Sequence, residues 1–494
     1  MRLPLLTSSI LCLSLFELPL LRSGEPLPRA IPESQGVSSE QIGAFVKAIQ
    51  SEIDSFHSFM LVRHGQVVAE GWWAPYDPST RHELYSLSKS FTSTAVGLAI
   101  GENRFSLDDE VHKFFPEDTP KELSKNLQSM RVRDLLCMST GHESVPNVKD
   151  SENWAKVFLE QKVSFKPGTH FLYNTPATYM LSAIVQKTTG KTTLEYLTPR
   201  LFEPLGIDSP TWDTCPKGIS LGGYGLSVRT EDIAKFGQLY LQKGRWKEKQ
   251  IIAPEWIEMA TSKQTSNGSN PLSDWDQGYG FQFWRCRYGH FRGDGAFGQY
   301  CIVMPKYDAV LAITSGVKNM QAVLDLVWNQ LIPAFTDAPL QGESSSHTRL
   351  RENLSNLALP LPKGNPVSGQ ISQLAERSFR FPENAIPVSS VQVRDSNDGG
   401  TAVSIRTSAG RFELPCYPDR WTKAEWRRES KTEPLAVAGA WKDPSTLVMT
   451  ICQVETPFLQ TWTMQFEKDQ VTLTAQSNVG FGGTPPKTIV GTME

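Results

Sequence analysis

A chain of 494 residues is longer than one core usually holds, so two domains are expected, one of them large. An apolar content of 39% and a charged content of 20% are those of an ordinary globular protein, and a net charge of -3 gives no electrostatic reason to expect nucleic acid or an anionic membrane as partner. Beyond residue 25 no apolar run approaches the length of a stable membrane span.

Met1-Arg2 is followed by LPLLTSSILCLSLFELPLL, a charge and then a short apolar run. Residues 1–25 therefore read as a secretory signal, and the protein as exported to the periplasm or beyond. A ragged N-terminal helix is the plainer alternative, but the run lacks the polar face of a surface helix. Seven cysteines are scattered with no CxxC and no metal spacing, and read as small buried hydrophobes. Export would permit one or two disulfides.

Ile42, Phe45, Val46 and Ile49 recur at helical spacing behind Ser39, a good cap. The segment SFMLVRHGQVVAEGWW reads as a hairpin turning at His64-Gly65. A helix is expected over 86–103, mostly helical chain over 131–190 with a break at Pro167-Gly168, and an amphipathic helix over 231–243. Segments 278–284, 297–304 and 309–314 read as consecutive strands, and 318–334 as a closing helix. Strands from both ends then share one sheet, which is an α+β layout with a helical insertion. From 337 to 355 the polar DAPLQGESSSHTRL reads as a linker. Residues 356–494 are β-rich, with short alternating runs such as AVSIRT and WTMQFE, as in a barrel or small sandwich. This second, all-β domain reads as an accessory to the first.

The chemical signal is Tyr85-Ser86-Leu87-Ser88-Lys89-Ser90 ahead of an apolar helix. Ser86 and Lys89 lie one turn apart on one face, where hydroxyl and amine can share a hydrogen bond. The Ser86 amide at the helix start can stabilise an oxyanion, and burial of Lys89 makes a neutral amine available as base. A capped surface helix would account for the same four residues, but the next turns are apolar. No HExxH, no His/Cys cluster and no glycine-rich phosphate loop is found, so neither a metal nor a cofactor is expected.

With these residues go Leu107-Asp108-Asp109, Arg133-Asp134-Leu135-Leu136, Met138-Ser139-Thr140-Gly141-His142, Pro167-Gly168, Pro204-Leu205-Gly206-Ile207 and Gly225-Leu226-Ser227. In order and spacing the chain over about 32–336 resembles the penicillin-recognising serine hydrolase superfamily, particularly the esterases, amidases and peptidases similar to class C β-lactamases. The resemblance implies a β-lactamase/transpeptidase-like domain, an antiparallel sheet flanked by helices. It implies that Tyr173 helps move the nucleophile's proton, and a phenol close to an ammonium is expected to ionise more easily. Thr175 stands where the family has Asn, so Asn174 or Thr175 supplies the polar group there. The family's third motif falls on His290-Phe291-Arg292-Gly293-Asp294-Gly295-Ala296 and is degenerate. One register places Gly293 at the cation's position and the second oxyanion donor at Gly295 or Ala296. The other makes His290 the motif histidine and puts Arg292 where the glycine belongs. The first register is preferred, and in either a shifted strand would let His290 or Arg292 fill the cation's space. The implied activity is hydrolysis of a small-molecule ester or amide through a Ser86 acyl-enzyme, rather than of a β-lactam. A catalytically weak binding protein on the same fold is the alternative.

Overall fold

The computed structural model describes residues 24–494, apart from 342–343, 376, 385, 397 and 429–430. Nearly all of the leader read over 1–25 lies outside the described residues. The first long helix, Ser39–Glu52, is capped by Ser38, whose hydroxyl accepts from Gln41 N at 3.3 Å, one residue earlier than expected. Ser39 instead donates its hydroxyl to buried Glu33. Ile42, Phe45, Val46 and Ile49 form the buried stripe that the spacing predicts.

A six-stranded antiparallel sheet organises the N-terminal domain. Its order is Gln66–Trp72, Phe56–Arg63, Ala309–Ser315, Gln299–Met304, Phe291–Gly295 and Trp284–Arg285. Phe56–Arg63, Gln299–Met304 and Ala309–Ser315 are buried at every position, because both faces are covered. One face carries the Thr230–Leu241 and Ser88–Gly101 helices, and the other carries Ser39–Glu52 and Met320–Leu326. The expected strand over 278–284 is reduced to Trp284–Arg285. Positive φ at Gly278 and Gln282 turns the chain, and Tyr279, Phe281 and Phe283 go into the core as loop residues. The expected helical stretch over 131–190 contains three separate helices, Val132–Leu136, Trp154–Glu160 and Thr175–Thr189.

The segment read as a linker, 337–355, carries a helix, Ser344–Ser355, lying against Ser39–Glu52 and Gln66–Trp72. Its composition is polar, but Leu350 and Leu354 fall one turn apart and join the core together with Leu357. The C-terminal domain is one ten-stranded antiparallel sheet that curls into a near-barrel around its own core. The last strand, Lys487–Met493, pairs with the first, Ser378–Arg380. All six described cysteines are buried and free, so none of them forms the disulfides that export would permit. Among the described residues no helix is long and apolar enough to cross a membrane.

Cys452 and Ala436 of the C-terminal domain belong to the same core as Phe56, Trp73 and Tyr76. At this seam a buried polar chain runs from Ser55 Oγ to His57 Nε2 (2.9 Å), from His57 Nδ1 to His82 Nε2 (3.1 Å), and from Tyr76 OH to both His57 Nε2 (3.2 Å) and Cys452 Sγ (3.2 Å). Burial lowers the pKa of His57 well below the usual value and that of His82 to about 4. Both are therefore neutral in the folded protein while their unfolded counterparts take up protons below about pH 6.5. Stability is full above that pH and is lost as pH falls toward 4, by about 1.4 kcal/mol per pH unit for each such histidine. Denaturant unfolding between pH 7 and pH 4.5 is expected to show this slope, reduced by about one proton in His82→Gln. An unchanged slope in that variant would refute the assignment.

Candidate active site

The chain leaves the short strand His82–Glu83, turns through Tyr85 at φ +47°, and enters the Ser88–Gly101 helix. A bulky residue at positive φ is strained, and here the surroundings hold it. Leu84 N donates to Leu226 O at 2.8 Å, and Leu226 N to Ser88 Oγ at 3.2 Å. The helix is buried nearly all round, with Phe91 stacked on Phe236. Two of its hydroxyls are satisfied by distant backbone. Ser90 Oγ donates to Gln282 O at 2.9 Å and Thr92 Oγ1 to Gly222 O at 2.8 Å.

Lys89 is 1% exposed. Its Nζ donates to Ser86 Oγ at 3.0 Å and to Gly223 O at 2.8 Å. Burial brings its pKa down to about 7, partly opposed by the carboxylate of Asp294. Tyr173 closes the group: its ring centroid is 5.0 Å from Lys89 Nζ, it stacks on Trp284 at 5.2 Å, and its hydroxyl hydrogen-bonds Ser86. Its pKa is raised, not lowered as expected. Burial dominates and Asp294 adds to it, outweighing the hydrogen bond from Ser86, so the phenol keeps its proton. Ser86 opens into a pocket of about 400 Å³ that Thr175, Tyr224 and Ala296 also line. The arrangement is a serine hydroxyl held between an amine that is half neutral near pH 7 and a protonated phenol.

The profile of the family described as Beta-lactamase matches residues 57–326, more than half of the chain. The chain belongs to the Beta-lactamase family. At the level of the family it is a serine hydrolase. Among the relatives of this Beta-lactamase family protein is the 6-aminohexanoate-dimer hydrolase of Paenarthrobacter ureafaciens, 24% identical over 51% of this chain and 71% of that protein. Another is a putative D-alanyl-D-alanine carboxypeptidase of Escherichia coli strain K12, 22% identical over 49% of this chain and 74% of that protein. Two solved structures share the fold. EstCE1, a hydrolase with promiscuous acyltransferase activity, has a TM-score of 0.50 at 18% identity, covering 59% of this chain and 98% of that one. SurE has a TM-score of 0.50 at 17% identity, covering 83% of this chain and 97% of that one.

Several residues expected in the substrate site of this Beta-lactamase family protein lie elsewhere. Asn174 is buried as the cap of the Thr175–Thr189 helix, accepting from Ala177 N and donating to Thr140 Oγ1, and Thr175 takes the place at the pocket. Arg292 is 0% exposed and cannot meet a substrate. It pairs with Asp294 at 2.9 Å, donates to Asp274 O at 2.8 Å and lies over Trp275. His290 is buried against Trp328 and Tyr307, outside the pocket. Gly293 packs the strand on the nucleophile helix, since a Cβ there would sit 2.4 Å from Leu87 Cδ1 and 2.5 Å from Ser90 Oγ. Gly295 serves the same close approach: its Cβ would sit 2.0 Å from Leu84 O. Of the 290–296 segment, Ala296 alone lines the pocket with Ser86.

Sequence reasoning missed Gly223, Asp294 and Trp284. Gly223 holds the lysine amine by its carbonyl, which no side-chain pattern reveals. Asp294 lies within the motif that drew attention to its neighbours, and only its burial beside Arg292 gives it electrostatic weight on Lys89 and Tyr173.

Proposed function

We propose that this protein hydrolyses a small-molecule ester or amide through an acyl-enzyme on Ser86. The observation that carries the reading is the 3.0 Å hydrogen bond between Lys89 Nζ and Ser86 Oγ, with the lysine buried and its pKa brought to about 7. The neutral amine takes the hydroxyl proton as Ser86 Oγ attacks the carbonyl carbon. The amides of Ser86 and Ala296 are the donors proposed for the oxyanion. Tyr173, protonated and bonded to Ser86, gives its proton to the departing alcohol or amine and is reprotonated from Lys89. Water then attacks the acyl carbon, its proton passes to Lys89, and Ser86 recovers its own as the acid leaves. This balances without a cofactor. Exported location remains part of the proposal and is checked by cell fractionation.

An ester or amide is favoured over a β-lactam because the 290–295 strand, where the family's cation stands, presents none: Arg292 is spent on Asp294, and the lysine that lines the pocket, Lys149, comes from a different segment. The same observation favours the second reading, a binding protein that retains the fold. A fluorophosphonate probe separates the two. The expected result is a covalent adduct on Ser86 at neutral pH and turnover of 4-nitrophenyl acetate that disappears in Ser86→Ala. No adduct on the folded protein would favour the binding reading. Full turnover of 4-nitrophenyl acetate and of nitrocefin by Ser86→Ala would end the proposed mechanism.

A further inference from the structure

The pocket that holds Ser86 is not built by the N-terminal domain alone. Phe481, near the C-terminus of the chain, lines it together with Tyr85 and Ala296. The ring of Phe481 lies 5.8 Å from that of Tyr85 and 4.9 Å from that of Phe297, and Phe458 lies 5.8 Å from Phe297. Tyr85 immediately precedes the nucleophile, and Phe297 follows the proposed oxyanion donor, so this cluster of rings begins at the reacting centre.

The two C-terminal segments that bring these rings are held in place. Residues 454–458 join the strands Thr446–Gln453 and Leu459–Glu467. Glu455 O accepts from Glu83 N at 2.8 Å, three residues before Ser86. Residues 478–486 precede the last strand, and Asn478 Nδ2 donates to Gly316 O and to Pro457 O, both at 2.9 Å. The bonds to Glu83 and Gly316 tie the near-barrel to the N-terminal domain, and the bond to Pro457 ties the two segments to each other.

Phe481 is nonetheless 72% exposed, and Val145, which also lines this mouth, is 46% exposed. Covering them favours binding at roughly 25 cal/mol per Å² of apolar surface removed from water. A second cavity is lined by Phe458, Val479 and Gly480 of the same two segments.

We propose that Phe481, with Tyr85 and backed by Phe297, receives an apolar arm of the substrate, aromatic or long-chain aliphatic, so that the C-terminal domain sets specificity at Ser86. This rests on the hydrolase reading for its reaction but not for its binding. The arm belongs to either the acyl or the alcohol side, and the test separates them. The ratio of kcat/KM for 4-nitrophenyl 4-phenylbutanoate over 4-nitrophenyl acetate reports the acyl arm, and that for 2-phenylethyl acetate over ethyl acetate reports the alcohol arm.

One of these ratios is expected to fall about tenfold in Phe481→Ala, the size of one lost apolar contact in a pocket, and to be retained in Phe481→Leu. Loss of activity on all esters in proportion, with both ratios unchanged, would overturn the proposal. In parallel, methyl 4-phenylbutanoate and 2-phenylethyl acetate are titrated calorimetrically into Ser86→Ala and Ser86→Ala/Phe481→Ala, where no turnover is needed. Weaker binding of either ester to the double variant supports the specificity site even if wild type proves hydrolytically silent. Equal binding of both esters overturns it even if Ser86 is the nucleophile.

Discussion

Lys89→Met is expected to lower kcat/KM on any turned-over ester by about 10³-fold or more, the usual cost of removing the base from an activated nucleophile. Methionine fills the same buried channel but cannot take a proton. The wild-type profile of kcat/KM against pH should rise tenfold per unit and level off above about pH 7, because the free enzyme's lysine loses its proton with a pKa of about 7. The folded pKa lies below the unfolded value of about 10.4, so Lys89 opposes folding, fully below about pH 7 and less and less as pH rises toward 10.4, and Lys89→Met should unfold near neutral pH at the same temperature as wild type or higher. Loss of activity with unchanged or improved thermal stability would separate a chemical role from a structural one. A variant that keeps a tenth of wild-type activity, with the rising limb still near pH 7, would remove Lys89 from the mechanism.

Arg292→Met is expected to destabilise the fold by about 3–5 kcal/mol at pH 8, the range for breaking one partner of a buried ion pair. Asp294 is itself buried, and burial already pushes its pKa upward against the pull of Arg292. Without the guanidinium, the carboxylate must stay charged in a dry place or take a proton. The deficit should therefore shrink at pH 5, where protonation is easier. Urea unfolding at both pH values checks this, and an equal deficit at the two would show that lost packing against Trp275 is the whole effect. Arg292 thus shapes the site through Asp294, whose charge supports the ammonium form of Lys89.

Ser86, Lys89 and Tyr173 were legible because the sequence carries their geometry. The first two lie one helical turn apart, and the third stands in a segment whose spacing belongs to the family. The resemblance marked Phe291–Gly295 as the third motif, but not the roles of its residues. Whether Gly293 and Gly295 meet the substrate or merely make room depends on Leu87 and Ser90 for the first and Leu84 for the second, which lie some two hundred residues earlier in the chain. Arg292 looked like a cation for substrate because its partners Asp294, Asp274 and Trp275 are set around it only by folding. The helix Ser344–Ser355 was hidden by polar composition, since two leucines on one face suffice to dock it. Phe481 carried no local signal at all: it sits between glycines, and its relation to Ser86 exists only after two domains meet.

That meeting limits how the chain can be divided. Trimming the protein after residue 337 would strip Cys452 from Tyr76 and leave the Glu83 amide, three residues before the nucleophile, without its acceptor. The N-terminal portion is therefore expected to lose stability when expressed without its companion. Directed evolution of this catalyst would do better to randomise the short glycine-flanked stretch around Phe481 in the intact chain than to recombine whole halves with those of relatives.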